Sequence, residues 1–250
     1  MLGKVRNMQQ ALRKITAEVS GPTPHANYHA YYMSPKERVV FHPKINPMLH
    51  LLEALWVMSG RPAPEGFASY GPALYKASVG EGFKLGGRHQ WFATAVNKGS
   101  LDAEIHVRSS EDLYQLVSDA TCFSAVQERV AYNHNLAVGT LFHVCDDVSQ
   151  VDFGRAVSSP YESGRACDSA MWSPSLAAHL GMFLDEGAVL GMSDRFLGRV
   201  ADPSIKALQH ILGKSEDRFT EAARCLDNTS DSNDWSMAAK AFIDYSRRTA

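Results

Sequence analysis

Cysteine is scarce: Cys122, Cys145, Cys167 and Cys225 are the four in 250 residues, and none forms a CxxC pair. That spacing excludes a zinc ribbon or a thioredoxin-type redox site, and without a secretory leader the thiols are read as reduced and cytosolic. A long apolar run is missing too, so no membrane span is expected. Charge of either sign is not in excess. Twenty-five basic against 27 acidic residues give a formal net charge of −2, which argues against a direct nucleic-acid surface and leaves room for a small anionic ligand. The glycines around Val79-Gly80-Glu81-Gly82 and Gly86-Gly87 fit neither the phosphate-loop nor the dinucleotide pattern, and the stretch reads as a flexible join. His42, His50, His134 and His143 are scattered without metal-site spacing, so no metal is expected and core or surface positions suit them. No repeat, low-complexity tract or linker divides the chain, which predicts a single domain over residues 1–250.

What the sequence does contain is a mixture of helical and strand periods, predicting an α+β (mixed) fold. Leu101, Ala103, Ile105 and Val107 alternate with Asp102, Glu104, His106 and Arg108, the pattern of a strand with one dry face. Trp91 to Val96 is its expected partner. Asn97-Lys98-Gly99-Ser100 supplies the turn, with Gly99 free to take a positive φ.

Val5, Met8, Leu12, Ile15 and Val19 predict an amphipathic first helix that Gly21-Pro22-Thr23-Pro24 stops. A polar, tyrosine-rich loop up to Pro35 and a short strand at Arg38-Val39-Val40-Phe41 are expected next. Asn46 as N-cap and Pro47 at the first helical position open an apolar helix ending at Ser59-Gly60. Pro62 to Pro72 reads as loop. Further helices are expected over Ala120–Tyr132, over Leu176–Leu184, from Pro203 to Leu212 with Asp202 as cap, and from Asp234 to Arg248. Val138 to Cys145 reads as a strand, and Ala156 to Pro174 as loop.

Two kinds of residue then suggest chemistry. The hairpin carries Arg88-His89 where it begins and Arg108-Ser109 where it ends, which would bring four polar groups toward one region. Glu53 stands among Leu51, Leu52, Ala54, Leu55 and Trp56, so it must be paired, raised in pKa, or on the one wet stripe of its helix.

In order along the chain, Arg38, the helix from Asn46 to Gly60, Tyr70-Gly71, Arg108-Ser109 and the closing Asp234-Trp235 with Arg247-Arg248 resemble the thymidylate synthase family, chiefly its divergent phage-type members. The resemblance implies a large twisted sheet packed by helices, a homodimer formed through sheet faces, and a cytoplasmic setting, the host's if the protein is phage-encoded. It also implies transfer of a methyl or hydroxymethyl unit from methylenetetrahydrofolate to C5 of a pyrimidine nucleoside monophosphate, after a cysteine thiolate attacks C6. On that likeness Glu53 matches the general acid/base, Tyr70 a pocket-lining residue, His89 the histidine after the nucleophile, and Arg108 and Ser109 the phosphate pair. Asp119, eleven positions after Arg108, stands where uracil-specific members carry asparagine. An acceptor-only carboxylate there favours a cytosine-like base. Asp119 read locally is equally a cap for the helix at Ala120.

The departures from the family are specific. Arg88 fills the position of the nucleophilic cysteine, and a guanidinium cannot attack C6. Ser149 and Val151 stand at the sugar-binding His-x-Tyr, His25 to Tyr32 replaces the phosphate-binding arginine loop, and the family's paired arginines have no counterpart before Arg88. Three readings follow: a pyrimidine nucleotide-binding homologue without cysteine-dependent transfer, an active C5 transferase with a different mechanism built on Glu53, His89 and Asp119, or a partner-binding protein whose old pocket is filled. Replacement of the nucleophile by Cys122 or Cys145 is disfavoured, since either would need another attack geometry. Arg88 separates the readings: in an open cleft it binds an anion, and in a buried carboxylate pair it closes the site.

Overall fold

Lys98 (φ 50°) and Gly99 (φ 82°) both take the left-handed conformation, so the turn between the two expected strands has the twist that suits a two-residue hairpin. The computed structural model of the protein describes residues 25–32, 46–59, 71–110, 113–149, 196–213, 215–227 and 234–249. Their elements in chain order are β1 (His25–Tyr32), α1 (Pro47–Ser59), α2 (Gly71–Leu74), β2 (Gly82–Gly86), β3 (His89–Asn97), β4 (Ser100–Ser110), α3 (Leu113–Asn133), β5 (Ala137–Ser149), α4 (Phe196–Leu212), α5 (Arg218–Asp227) and α6 (Asp234–Thr249). The expected first helix, the strand at Arg38–Phe41, the loop from Ala156, the helix at Leu176–Leu184 and Tyr70 lie outside the described residues.

The five strands form one sheet in the order β1-β5-β4-β3-β2. All neighbours are antiparallel except β4 and β5, which run parallel and therefore need a crossover. α3 is that crossover: it leaves the end of β4, packs over β4 and β5, and returns the chain to the start of β5. α1 packs on α3, α4 and α6 reach α1, and α5 contacts both α4 and α6. The mixed sheet covered by helices agrees with the expected α+β class.

Alternation decides which strand residues meet the helices. Leu101, Ala103, Ile105 and Val107 are buried, as are Phe92 on β3 and Leu141, Cys145 and Val148 on β5. They form one cluster with Leu51, Leu52 and Leu55 of α1 and Leu116, Phe123 and Val126 of α3. Trp91, Ala93, Phe142 and Val144 fall opposite His106 and Glu104 on the other face and are only partly buried. Among the described residues no helix is long and apolar enough to cross a membrane.

Four local expectations are corrected. His25–Tyr32 is a strand, because β5 supplies backbone partners from His25↔Ser149 to Tyr32↔Leu141 that local sequence does not reveal. The glycine-rich join contains β2, whose Phe83 and Lys84 pair with Phe92 and Trp91, while Gly86 (φ 81°) and Gly87 (φ 63°) make the turn. α3 begins at Leu113, so Asp119 lies inside the helix and does not cap it. α4 begins at Phe196 and keeps Pro203 inside, with Ile205, Ala207 and Leu208 buried, so tertiary packing offsets the lost amide donor. Asn46 behaves as expected: its Oδ1 accepts the Met48 N–H at 3.1 Å. α5 has only Ala222 and Leu226 buried, too short an apolar stripe to stand out by periodicity.

The parallel join between β4 and β5 is irregular at Leu101/Ala103, and side chains close the gap. Gln127 Nε2 of α3 donates to the Leu101 carbonyl at 2.7 Å and the Thr140 carbonyl at 3.1 Å. Asp102 accepts from the Thr140 N–H at 2.7 Å and from Asn97 Nδ2 at 2.9 Å. Gly139 fits beneath them because a β-carbon there would strike Asp102 Oδ1 and come within 2.9 Å of the Leu101 carbonyl oxygen. Gly139→Ala is therefore expected to destabilise the fold by about 2 kcal/mol, the scale of an overpacked core site, with a Tm drop of about 4–8 °C. A thermal melt within a degree of the parent would show that the contact yields.

Candidate functional site

Asp119 is the centre of the polar cluster between sheet and helices. It sits in the second turn of α3, fully buried, on the side that faces the β2–β3 turn. Both of its oxygens are engaged by one guanidinium: Arg88 Nη1 donates to Oδ2 and Nη2 to Oδ1, each at 2.7 Å. His89 Nε2 donates to Oδ1 at 2.7 Å, and since a carboxylate only accepts, this nitrogen carries the proton. The Asp119 side chain is 1% exposed and that of Arg88 28%, so solvent reaches the pair from the arginine side.

Burial alone would raise the Asp119 carboxyl, but His89, by charge and hydrogen bond, with Arg88 and His143, outweighs it and holds the carboxyl below its usual range. His50 of α1 and His143 of β5 are fully buried close enough to feel the same carboxylate. Burial drives their pKa values down, to about 3 and about 4, against the pull of Asp119. Both are therefore neutral at pH 7. The ring of His89 rests 5.6 Å from that of Phe123, which in turn packs 5.3 Å from Phe92. These contacts give the cluster an apolar wall.

Of the residues singled out from sequence, Arg88, His89 and Asp119 come together directly. Arg108 joins them through its backbone, its N–H donating to the Arg88 carbonyl at 2.7 Å, and its side chain is exposed. Ser109 follows it at the same end of β4, partly buried. Glu53 is partly buried on α1 and accepts a hydrogen bond from Ser118 Oγ. Of the four hairpin groups expected to converge, Arg88 and His89 meet on Asp119, whereas the Arg108 side chain faces solvent and Ser109 is half-buried at the end of β4.

Both nearby cysteines are buried. Cys145 is buried, its Sγ donates to the Asp147 carbonyl at 3.3 Å, and burial pushes the thiol up to about 12. Cys122 is fully buried with its Sγ 3.9 Å from Ser118 Oγ. Ser118, His50 and His143 were not legible as site residues. His143 stands two residues from Leu141 and two from Cys145, which places the three on one face of the strand.

The buried histidines make a pH prediction. A histidine whose folded pKa lies below 6.5 binds its proton in the unfolded chain first, so stability is full above pH 6.5 and falls toward pH 4. Together His50 and His143 should make the protein about 2–3 kcal/mol less stable at pH 5.5 than at pH 7.5. Asp119, with its depressed value, adds stability above its unfolded pKa and loses it only as pH falls through the lower folded value. Denaturant melts of parent and His143→Gln across that range should show about half the slope in the variant; equal slopes would contradict a neutral buried His143.

No family model matches the chain. It is similar to the deoxyuridylate hydroxymethyltransferase of Pseudomonas phage M6, at 24% identity over 336 aligned positions that cover 98% of this chain and 94% of that protein.

Proposed function

We propose that the chain is a thymidylate synthase-like protein, a single domain over residues 1–250, that binds a pyrimidine nucleoside monophosphate and lacks cysteine-dependent methyl transfer. The Arg88 guanidinium, locked by two 2.7 Å bonds onto Asp119 at the position where the resemblance requires a nucleophilic thiol, supports the loss of cysteine chemistry; the same buried pair favours the filled, partner-binding pocket over an open anion cleft, so the nucleotide part of the reading rests on the similarity alone. The similarity to a phage hydroxymethyltransferase supports a pyrimidine nucleotide as ligand. Arg108 and Ser109 take the phosphate, where an exposed guanidinium fork can pair its oxygens. Asp119 takes the base edge in exchange for Arg88, which favours cytosine over uracil. Tyr70 lines the pocket on the strength of the resemblance alone. The protein acts in the cytoplasm, the host's if phage-encoded.

The described residues do not fit methylenetetrahydrofolate chemistry of the thiolate kind, since Cys145 is held at about 12 and Cys122 is buried. No step is assigned through that cofactor. The hydroxymethyltransferase similarity favours a second reading in which Glu53, His89 and Asp119 serve an active C5 transferase. Glu53, hydrogen-bonded to Ser118, would then work as the acid/base group.

Thermal melts with CMP, dCMP, UMP and dUMP separate these readings. Binding should raise Tm, most with the cytosine nucleotides, and Arg108→Ala should abolish the rise. No shift with any of the four would sink the nucleotide reading. Tritium release from C5-labelled nucleotides in the presence of methylenetetrahydrofolate, absent on the first reading, would establish the second.

The chain is also proposed to dimerise through the outer sheet face, where Trp91, Ala93, Phe142 and Val144 are only partly covered. Sedimentation velocity should find a dimer that Trp91→Glu weakens; a parent monomer at micromolar concentration would refute it.

A further inference from the structure

We propose that Gln90, His106 and Asp146 form a proton-operated switch on the outer face of the sheet: the protonated ring of His106 holds Asp146, and loss of the proton releases Asp146 to Arg108, whose charge it then neutralises. The switch stands on its own geometry; its effect on ligand binding rests on the reading above in which Arg108 takes a phosphate.

Three strands build it. Between the pairs His89↔Val107 and Trp91↔His106, β3 has one residue more than β4, so Gln90 is bulged and turns to the outer face, where it meets His106. His106 lies there between Trp91 of β3, whose ring is 6.4 Å away, and Val144 of β5. Asp146, two residues beyond Val144, shares that face. His106 Nδ1 faces Gln90 Oε1 at 2.8 Å, His106 Nε2 faces Asp146 Oδ1 at 3.1 Å, and Gln90 Nε2 donates to Asp146 Oδ2 at 3.3 Å. The three side chains close a ring of contacts.

Counting protons around that ring fixes the state in which it closes. Each of the three contacts needs a proton from one side. The carboxylate brings none, and the amide brings one whichever way it is turned, because its oxygen then faces the other contact. His106 must supply the remaining two from its two nitrogens, which only the imidazolium does. A neutral ring that keeps the proton on Nε2 sets its Nδ1 lone pair against Gln90 Oε1, and turning the amide over sets that oxygen against Asp146 instead. A ring that keeps the proton on Nδ1 leaves Nε2 facing the carboxylate as a second acceptor. Every neutral arrangement therefore breaks one contact, and the one that breaks is at Asp146 unless Gln90 Oε1 is left without a donor.

Arg108 is the competing donor. It follows His106 by two residues on β4, and the flanking pairs Val107↔Cys145 and Ser109↔Asp147 set it beside Asp146. Both side chains are exposed, and that of Arg108 makes no hydrogen bond or ion pair among the described residues. The other charged groups on this face are Glu104, two residues before His106, and Lys84 of β2, the pairing partner of Trp91. Neither bonds to the three side chains of the ring. While His106 carries both protons, Asp146 is held by two donors and the guanidinium keeps its full charge for an anion. When the Nδ1 or Nε2 proton passes to solvent, Asp146 takes its missing donor from Arg108, and an incoming anion must compete with it.

The test follows the Arg108 Nε–H resonance of the full chain by nitrogen-15 NMR at about pH 6 and about pH 8, within the range where histidines change charge. Arg108→Lys assigns the signal. In the parent it should move between the two pH values as Asp146 arrives. Asp146→Asn, without the carboxylate, and His106→Phe, with Asp146 on Arg108 throughout, should hold it still. A resonance that stays fixed in the parent, or that still moves in Asp146→Asn, overturns the switch; should His106→Phe fail to fold, Asp146→Asn decides alone. Sulfate, whose charge is constant over this range, forms the second arm, read at the same resonance. The parent should bind it about three- to fivefold more weakly at the higher pH, the scale of an exposed ion pair competing for the arginine, and Asp146→Asn should bind it within about twofold at both. Equal sulfate affinity in the parent at the two values overturns the proposal. A resonance that moves with pH as expected yet ignores sulfate upholds the switch and removes Arg108 from the phosphate site.

Discussion

A carboxylate with 1% of its side chain exposed constrains everything around it. Removing one partner from such a group leaves a buried charge uncompensated, at a cost of about 3–5 kcal/mol. Asp119 therefore demands that the β2–β3 turn lie where Arg88 can reach it and that β3 begin with His89 facing inward. The demand runs both ways: α3, which carries Asp119, is the crossover that lets β4 and β5 run parallel. A single ion pair thus ties the edge hairpin to the central helix.

α3 carries an unusual load of buried polar side chains for a central helix, and several of them tie it to its neighbours. Gln127 reaches the carbonyls of both parallel strands, Ser118 reaches Glu53 of α1, and Arg129 Nη2 reaches the Leu74 carbonyl at 2.7 Å. Thr121 and Ser124 bond back to the carbonyls of Val117 and Ala120 in their own helix. Polar contacts between elements fix the rotation of the helix, because an apolar stripe alone would allow it to slip. The rotation so fixed puts Asp119 toward the sheet edge and Glu53 within reach of the same helix.

The chemical consequence of Arg88 is electrostatic as well as structural. A guanidinium remains charged, and by engaging both oxygens it leaves Asp119 a satisfied partner. His50 and His143 stay neutral beside it, so the cluster holds its charges in one arrangement at pH 7.

Local sequence was enough for several elements. The period of Leu101 to Val107, the Asn97–Ser100 turn and the Asn46-Pro47 helix start are all set by residues a few positions apart, whose sterics and capping bonds act without distant help. Arg88, His89 and Arg108 could be singled out because their polar groups stand at the ends of a hairpin legible in one dimension, whereas Asp119 came from the family resemblance, its local reading as a helix cap being overturned. Tertiary structure decided the rest. β1 and β2 exist because β5 and β3 supply their backbone partners, and α4 continues through Pro203 because Ile205, Ala207 and Leu208 bury against the core. Above all, the sequence allowed Arg88 either an open cleft or a carboxylate pair. Desolvation of Asp119 chose the pair, because a buried charge cannot wait for a ligand from solvent and takes the cation its own chain provides.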